Sequence, residues 1–251
     1  MRLFPHELRG QLRLYWRSRE LAFFTFALPI IMFILLGSVY GKDRIKAEGG
    51  VRGADYLLAG MLGYGAIATG FAGLSIMLVI RREQGILKRL RATPLPAGTY
   101  VAALLLTTMV AFALEAAVMV LAGRILFHTH LRHGVSLALA LLLAIGAFTA
   151  LGLALTTLIK SSEGSSAVVN AIYLPVSFIS GSFFSSHSFP QVLRVVANAL
   201  PLVYVIRLVR DVMLRDAQIW NRPGAVAVVA AWGLAGALIA ARRFRWEPRE
   251  G

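Results

Sequence analysis

The chain has 251 residues, of which 58% are hydrophobic and 15% are charged. Together with a mean hydropathy of +0.71, this excludes an ordinary soluble domain and is typical of proteins that cross a membrane several times. The net charge of +14 would indicate nucleic-acid binding in a soluble chain. Here the basic residues cluster between apolar runs and at the two ends, so they predict topology signals and contacts with membrane lipids, and no nucleic-acid partner. Without cysteine, the chain has no disulfide framework, thiolate metal site or cysteine nucleophile.

Residues 1–20 are basic and amphipathic, with arginines and apolar residues on different arcs of a helix. We predict an interfacial helix that lies along the membrane surface, and a disordered basic tail is the alternative. A cleaved signal peptide fits poorly, because the arginines continue through Arg19. One arc holds Arg2, Arg9, Arg13 and Arg17, and the other holds Phe4, Leu8, Leu12 and Tyr15.

Six apolar runs approach the ~20 residues that a helix needs to cross a bilayer. They predict an all-α polytopic membrane protein, with residues 1–251 forming a single transmembrane domain. Pro29 is expected to kink the first span. Glycines in the second span predict close approach of a neighbouring helix. The predicted spans are residues 21–40, 56–80, 100–123, 135–159, 167–184 and 224–241, and the glycines are Gly60, Gly63, Gly65, Gly70 and Gly73.

A short basic segment, RREQGILKRLRATPLPAGTY, occupies residues 81–100 between the second and third spans. Five cations fall within residues 81–91, so this segment must lie in water or among lipid head groups. Apolar residues at helical spacing predict a short helix over residues 83–91, which Pro94 and Pro96 terminate. A positively charged loop that only fixes the topology is the alternative interpretation.

The order of residues from Arg82 to Leu95, REQGILKRLRATPL, resembles the cytoplasmic loop after the second span of ABC-2 type transporter permeases. In that family the loop forms a coupling helix that docks on the ATP-binding subunit, and the chain begins with a helix along the cytoplasmic surface. Many relatives have Thr where this chain has Ile86.

The resemblance implies that this segment couples the chain to an ATPase. Leu87 and Leu90 would then supply an apolar contact, the cations would supply charge complementarity, and Glu83 would be a cap or a partner contact. The implied coupling residues are Glu83, Gly85, Ile86, Leu87, Lys88, Arg89, Leu90 and Arg91.

Glu115 lies inside the third span, where an ionised side chain costs roughly 2.5 to 3.5 kcal/mol on insertion scales. It should therefore be paired, protonated or facing water. We treat it as a candidate for a substrate pathway, with a structural hydrogen bond to a neighbouring helix as the alternative. His128, His130 and His133 follow, but no carboxylate lies near them in sequence to complete a metal site, so a hydrated loop is favoured.

Polar and flexible positions interrupt the fifth span, and such a break can line a cavity. Beyond it, residues 185–222 are too apolar for a plain loop and too charged for a comfortable span. We predict two short re-entrant helices over residues 188–215, hinged near Pro201, that keep their arginines near water; a seventh crossing over residues 191–214 is the alternative. The tentative pathway residues are Glu115, Asn170, Ser177, Ser180 and Tyr204.

Two further patterns resemble the C-terminal region of ABC-2 permeases. They are ISGSFF from Ile179 to Phe184 and LPLVY from Leu200 to Tyr204. Relatives usually have Pro directly after the Phe pair, whereas this chain has Ser185.

Fifteen of the 26 Lys and Arg residues fall on the side of the predicted spans that holds both termini and the central loop. The positive-inside rule therefore predicts that both termini are cytoplasmic. A multi-pass protein of the cell (inner, plasma) membrane is expected.

Energy must come from another polypeptide, because the chain has no Gly-x-x-x-x-Gly-Lys-Ser/Thr motif. His-Glu-x-x-His and Gly-x-Ser-x-Gly are absent too, so no enzyme activity is assigned. The resemblance implies an exporter of the drug-resistance-like branch, in which a separate ATP-binding subunit carries ATP and Mg and this chain has no cofactor or metal. A second permease copy, or a paralogous permease, would complete the pathway.

Amphipathic drugs or lipid-like molecules are the expected cargo, with polysaccharide less favoured. One alternative is a membrane-embedded lipid-modifying enzyme that uses Glu115 with His128, His130 and His133. A passive channel or an ATPase-free scaffold is the other.

Overall fold

The structure, a computed structural model, describes residues 3–17, 23, 27–46, 49–93, 95–159, 161–183 and 189–243. In these ranges the chain forms helices joined by short loops, with one small antiparallel hairpin. The helices are α1 (Leu3–Arg17), α2 (Leu28–Tyr40), α3 (Gly53–Glu83), α4 (Ile86–Arg91), α5 (Ala97–Phe127), α6 (Gly134–Thr156), α7 (Ser165–Ile179), α8 (Gln191–Asn198), α9 (Pro201–Leu214) and α10 (Pro223–Arg243). The hairpin strands are β1 (Arg44–Ile45) and β2 (Val51–Arg52).

Four of the predicted spans are confirmed as helices long and apolar enough to cross a membrane: α3, α5, α6 and α10. The chain is therefore a multi-pass, all-α membrane protein. The first and fifth predicted spans correspond to α2 and α7, which are shorter, at 13 and 15 residues. Residues 18–22, 24–26 and 184–188 lie outside the described residues, so the count of six spans stays a prediction. Pro29 is the second residue of α2, and the backbone of Ala27 before it is also helical, so the kink expected at Pro29 stays a prediction.

One end of the bundle gathers the basic elements. Residues 81–93 lie there with Gln11 of α1, with Thr156 at the end of α6 and with Ala240 near the end of α10. We call this end the basic face. The N-terminal helix and the end of α10 thus share one face, and the cytoplasmic location of both termini stays a prediction.

The other end, the opposite face, is closed by contacts between loops. Arg52 donates a hydrogen bond to the Phe127 carbonyl at 2.9 Å, and His133 Nε2 lies 3.0 Å from Asp216 Oδ1. The β1–β2 hairpin also lies here, between the first two predicted spans.

Glycines let α3 pack closely against its neighbours, as predicted. A Cβ at Gly60 would lie 2.0 Å from the Ser182 carbonyl oxygen, and one at Gly63 would lie 2.6 Å from the Ile206 side chain. Each position therefore has room only for glycine. Helix α3 forms the centre of the core and contacts α6, α9 and other helices on several sides.

The hinge predicted near Pro201 is present, because α8 and α9 meet there at an angle of 87°. Before the pair, the Gly181 carbonyl contacts Arg210 near Tyr56 at the start of α3. After it, Asp216 contacts the loop that precedes α6. Gly181 and Asp216, which precede and follow the pair in the sequence, thus both lie toward the opposite face, and the re-entrant arrangement stays a prediction.

The expectation that the re-entrant arginines stay near water is wrong for Arg210. Its side chain is only 8% exposed, lies 3.5 Å from the ring centroid of Tyr56 and donates to the Gly181 carbonyl at 2.5 Å. The aromatic face and the carbonyl replace water around the guanidinium. Arg194 and Arg207 are exposed.

Candidate functional site

The predicted short helix over residues 83–91 begins later than expected. Helix α3 continues through Glu83, the chain turns at Gln84 and Gly85, and α4 then runs from Ile86 to Arg91. Gly85 has φ of +69°, a left-handed conformation that glycine adopts without steric cost. This residue separates α4 from α3 and lets the short helix bend away from the span.

The apolar side of α4 faces the bundle. Leu87 is only 1% exposed and packs in a cluster with Leu74, Leu78, Tyr100 and Leu104. Leu87 therefore cannot offer an apolar contact to another protein in this conformation, and that part of the sequence interpretation is wrong. Burial in the bundle removes the Leu87 side chain from water, which is favourable because the side chain is apolar.

Leu90 and Leu95 are partly buried against the same cluster. The outward face of α4, defined as Ile86, Lys88 and Arg89, is exposed, with Ile86 at 37%. This surface combines two cations with one apolar side chain. The side chain of Arg91 lies outside the described residues.

Arg82 connects the end of α3 to the end of α6. It is 4% exposed and donates hydrogen bonds to the carbonyls of Thr156 at 2.8 Å and Ile159 at 2.6 Å. Carbonyls at the C-terminal end of a helix have no partner within the helix and carry partial negative charge. The buried guanidinium satisfies one such carbonyl, that of Thr156, together with the Ile159 carbonyl in the loop after α6, so a shift of α3 at this point must also move the end of α6.

Glu83 lies three residues beyond Ile80, the last apolar residue of its span, and contacts the loop after α6. Its carboxylate accepts a hydrogen bond from the backbone N–H of Ser162. Hydrogen bonds from Ser162 lower the pKa of the Glu83 carboxyl, so it is ionised at neutral pH. This contact lies within the chain.

Arg81 connects the same region to the N-terminal helix. Its guanidinium donates to the Gln11 side-chain oxygen at 2.5 Å and lies 3.4 Å from the Tyr100 hydroxyl. Gln11 is itself held by a 2.7 Å hydrogen bond to Glu7. The segment before α4 is therefore attached to α1, to the start of α5 and to the end of α6.

Glu115 is fully buried between α5 and α3. The Thr69 hydroxyl donates to its Oε2 at 2.7 Å, while Oε1 lies against Gly65 and has no hydrogen-bond partner in the described part of the chain. Thr69 belongs to a π-helical stretch, Ala68–Gly73, within α3. Of the two interpretations of Glu115, the hydrogen bond to a neighbouring helix is the one that this geometry supports.

The other tentative pathway residues are not brought into contact with Glu115. Ser177 donates to the Tyr173 carbonyl at 2.7 Å, a bond within its own helix. Tyr204 donates to the Asn198 carbonyl within the α8–α9 pair. Asn170 is exposed on α7, and Ser180 is buried after the end of that helix. Their roles stay predictions.

A polar contact between α3 and α7 was also missed by the sequence analysis. The hydroxyls of Tyr64 on α3 and Tyr173 on α7 lie 3.5 Å apart. Both residues were hidden in apolar runs, and nothing in the local sequence pairs two tyrosines that are 109 residues apart.

The histidine loop forms no metal-binding cluster within the described residues, where no group of three or more His, Cys, Asp or Glu side chains converges. His133 instead contacts Asp216. Nothing in this arrangement supports the lipid-modifying enzyme that was considered as an alternative.

Comparison with known families gives a match over most of the chain. A family model described as ABC-2 type transporter matches residues 4–214, a range that begins in α1 and ends with α9. The comparison with curated proteins gives no match.

Proposed function

The chain belongs to the ABC-2 type transporter family, and from this premise we propose that it is the membrane subunit of an ATP-driven exporter. Members of this family are transport subunits that generally work with an ATP-binding partner. The observation that carries the proposal is α4, a short helix whose cationic side is exposed while its apolar side is fixed in the bundle. The chain itself is not the enzyme, and ATP and Mg would be held by the partner.

In this proposal the outward face of α4 docks on the ATP-binding subunit. Lys88 and Arg89 supply charge complementarity to an acidic surface, and Ile86 supplies a small apolar contact. Leu87 and Leu90 contribute indirectly, because their burial holds α4 in its orientation.

A displacement of α4 would reach three parts of the bundle through contacts that already exist. Leu87 transmits it to the apolar cluster between α3 and α5. Arg82 and Glu83 transmit it to the end of α6 and its following loop. Arg81 transmits it to the N-terminal helix. Movement of the partner on ATP binding would thereby tilt the spans that flank the basic segment.

The basic face would lie in the cytoplasm, which follows from the excess of Lys and Arg on that side. We further propose six spans with α8 and α9 as a re-entrant pair, in the cell (inner, plasma) membrane. A second copy of the chain, or a paralogous permease, would cover exposed apolar side chains of α2 and α7 such as Leu35 and Phe178. The pathway would run between the two copies, with Asn170 of α7 facing it.

The cargo proposed is an amphipathic drug or a lipid-like molecule. The support is the composition of one side of α7, where the exposed residues Leu174 and Phe178 follow Asn170 by one and two helical turns and so present apolar surface with an isolated polar group. Compounds that stimulate ATP hydrolysis by the reconstituted complex would identify the cargo class.

The docking proposal is tested by charge reversal on the outward face of α4. The variant Lys88→Glu/Arg89→Glu should lose the ATP-binding subunit during co-purification and lose ATP-dependent export. A matched control, Lys42→Glu/Arg44→Glu, makes the same charge change at exposed positions of the opposite face. Both proteins should reach the membrane in normal amounts, because neither site is buried.

Unchanged recovery of the ATP-binding subunit with Lys88→Glu/Arg89→Glu would contradict docking through α4. Equal loss in the Lys42→Glu/Arg44→Glu control would show that net charge, and not this surface, determines the association.

A further inference from the structure

A groove of about 560 Å³ opens between α6, α7 and α10 on the side of the bundle away from α5. Phe71 of α3 contributes to its lining, and α6 and α10 contribute its long walls. Both of these helices end at the basic face. The groove therefore extends from the membrane interior toward the surface at that face.

The walls of this groove are apolar and accessible. Leu158 is 67% exposed, Leu238 is 57% exposed and Ile239 is 46% exposed. Ile172 of α7 adds an apolar side chain that is 40% exposed. In a membrane protein, such a surface is covered by acyl chains or by another protein.

Two cations stand at the end of the groove nearest the basic face. Arg242 and Arg243 both line it and both are exposed. Within residues 3–243, as far as the structure describes them, neither forms an ion pair with an Asp or Glu side chain. The groove is apolar within the membrane and carries two guanidinium groups at the membrane surface. A phospholipid matches this arrangement, because its acyl chains lie inside the membrane and its phosphate lies at the surface.

We propose that this groove, formed by α6, α7 and α10, is a binding site for an anionic phospholipid. The acyl chains lie against Leu158, Leu238 and Ile239, and the phosphate is held by Arg242 and Arg243. The bound lipid fixes the ends of α6 and α10 relative to each other at the face that carries α4. The inference does not depend on what the chain transports.

A second groove in the same structure provides a contrast. It is larger, about 800 Å³, and lies between α5, α6 and α10. No Lys or Arg of the described chain lines it, and its walls are largely small apolar residues such as Ala147 and Gly233. This second groove can accept acyl chains without preference for head-group charge. Selectivity for an anionic head group therefore separates the two sites.

The test measures retention of single lipids by the full-length chain in detergent. Native mass spectrometry would count bound dioleoylphosphatidylglycerol and dioleoylphosphatidylcholine, which have the same acyl chains and different net charge. Each cation near an anionic lipid surface strengthens the attraction about fivefold. The variant Arg242→Gln/Arg243→Gln should therefore reduce the preference for phosphatidylglycerol roughly 25-fold.

Matched variants separate this groove from general surface charge. Arg9→Gln/Arg13→Gln removes the same charge from exposed positions of α1 at the same face, and it should keep the phosphatidylglycerol preference. Leu158→Trp should obstruct the groove and lower retention of both lipids there. Leu142→Trp obstructs the second groove instead, and it should keep the preference.

Three results would overturn the proposal. The first is an unchanged preference in Arg242→Gln/Arg243→Gln, and the second is an equal loss in Arg9→Gln/Arg13→Gln. The third comes from Leu158→Cys, the only thiol in a chain that has no cysteine. Rapid disulfide-linked dimers of this variant in native membranes would show that a second copy, and not a lipid, covers the groove.

Discussion

Replacing Arg82 by Met should lower the stability of the permease without changing the outward face of α4. Arg82 is 4% exposed, and it donates hydrogen bonds of 2.8 Å to the Thr156 carbonyl at the end of α6 and 2.6 Å to the Ile159 carbonyl in the following loop. A hydrogen bond from a charged donor contributes about 1.5 to 3 kcal/mol. Loss of both bonds at the lower end of that range costs roughly 3 kcal/mol. Met fills much of the same volume, so the cavity term is small.

The assay is thermal melting of the purified permease without its partner. A loss of roughly 3 kcal/mol corresponds to a fall in Tm of about 6 to 12 °C for a chain of this size. The Tm of Arg82→Lys should lie between those of the wild type and Arg82→Met, because a single ammonium replaces the guanidinium group that reaches both carbonyls. Arg89→Met is the matched control, since Arg89 is exposed and the charge change is the same.

The two arginines should separate stability from docking. Arg82→Met should still bind the ATP-binding subunit but should transport less per ATP hydrolysed, because α6 no longer follows α3. Arg89→Met should melt like the wild type and bind the subunit less well. A melting temperature of Arg82→Met within about 2 °C of the wild type would refute the assigned energetic role of Arg82.

Leu87→Asp should lower the stability of the isolated permease by about 2 to 5 kcal/mol, because it places a charge in an apolar cluster; normal melting would show that Leu87 is accessible. Gly60→Ala should reduce folded protein in the membrane, since its Cβ would lie 2.0 Å from a backbone oxygen. Gly98→Ala, with nothing within 4 Å of the new Cβ, is its control and should be neutral. Thr69→Val should cost roughly 1 to 3 kcal/mol by removing the hydrogen bond to Glu115, and adding Glu115→Leu should restore much of that loss. Additive effects of Thr69→Val and Glu115→Leu on Tm would contradict a direct hydrogen bond.

The contrast between sequence and structure is clearest at α4. Charge density located the segment, and apolar spacing correctly placed Leu87 and Leu90 on one side of a short helix. The spacing does not show which surface Leu87 and Leu90 contact, because the nearest apolar surface is formed by residues of α3 and α5. The structure turns that side inward and leaves Ile86 with the cations.

The same limit applies to buried polar groups. Hydropathy identified Glu115 as costly in a span, and it identified the arginines of residues 188–215, which include Arg210, as charges in an otherwise apolar segment. It could not find their partners, because Thr69 lies 46 residues from Glu115 and the Tyr56 ring that contacts Arg210 belongs to another helix. Such pairs depend on which helices become neighbours.

Composition and hydropathy are enough to show that the chain spans a membrane, where its four long spans run and where its basic segment lies. These features depend on local composition, because a bilayer selects about 20 consecutive apolar residues and excludes clustered charge whatever the rest of the chain does. The packed bundle is needed to show which side of α4 is exposed, which carbonyls Arg82 binds, and that two arginines line the end of an apolar groove. Those features arise where helices far apart in sequence pack together, and packing contacts are set by the whole bundle.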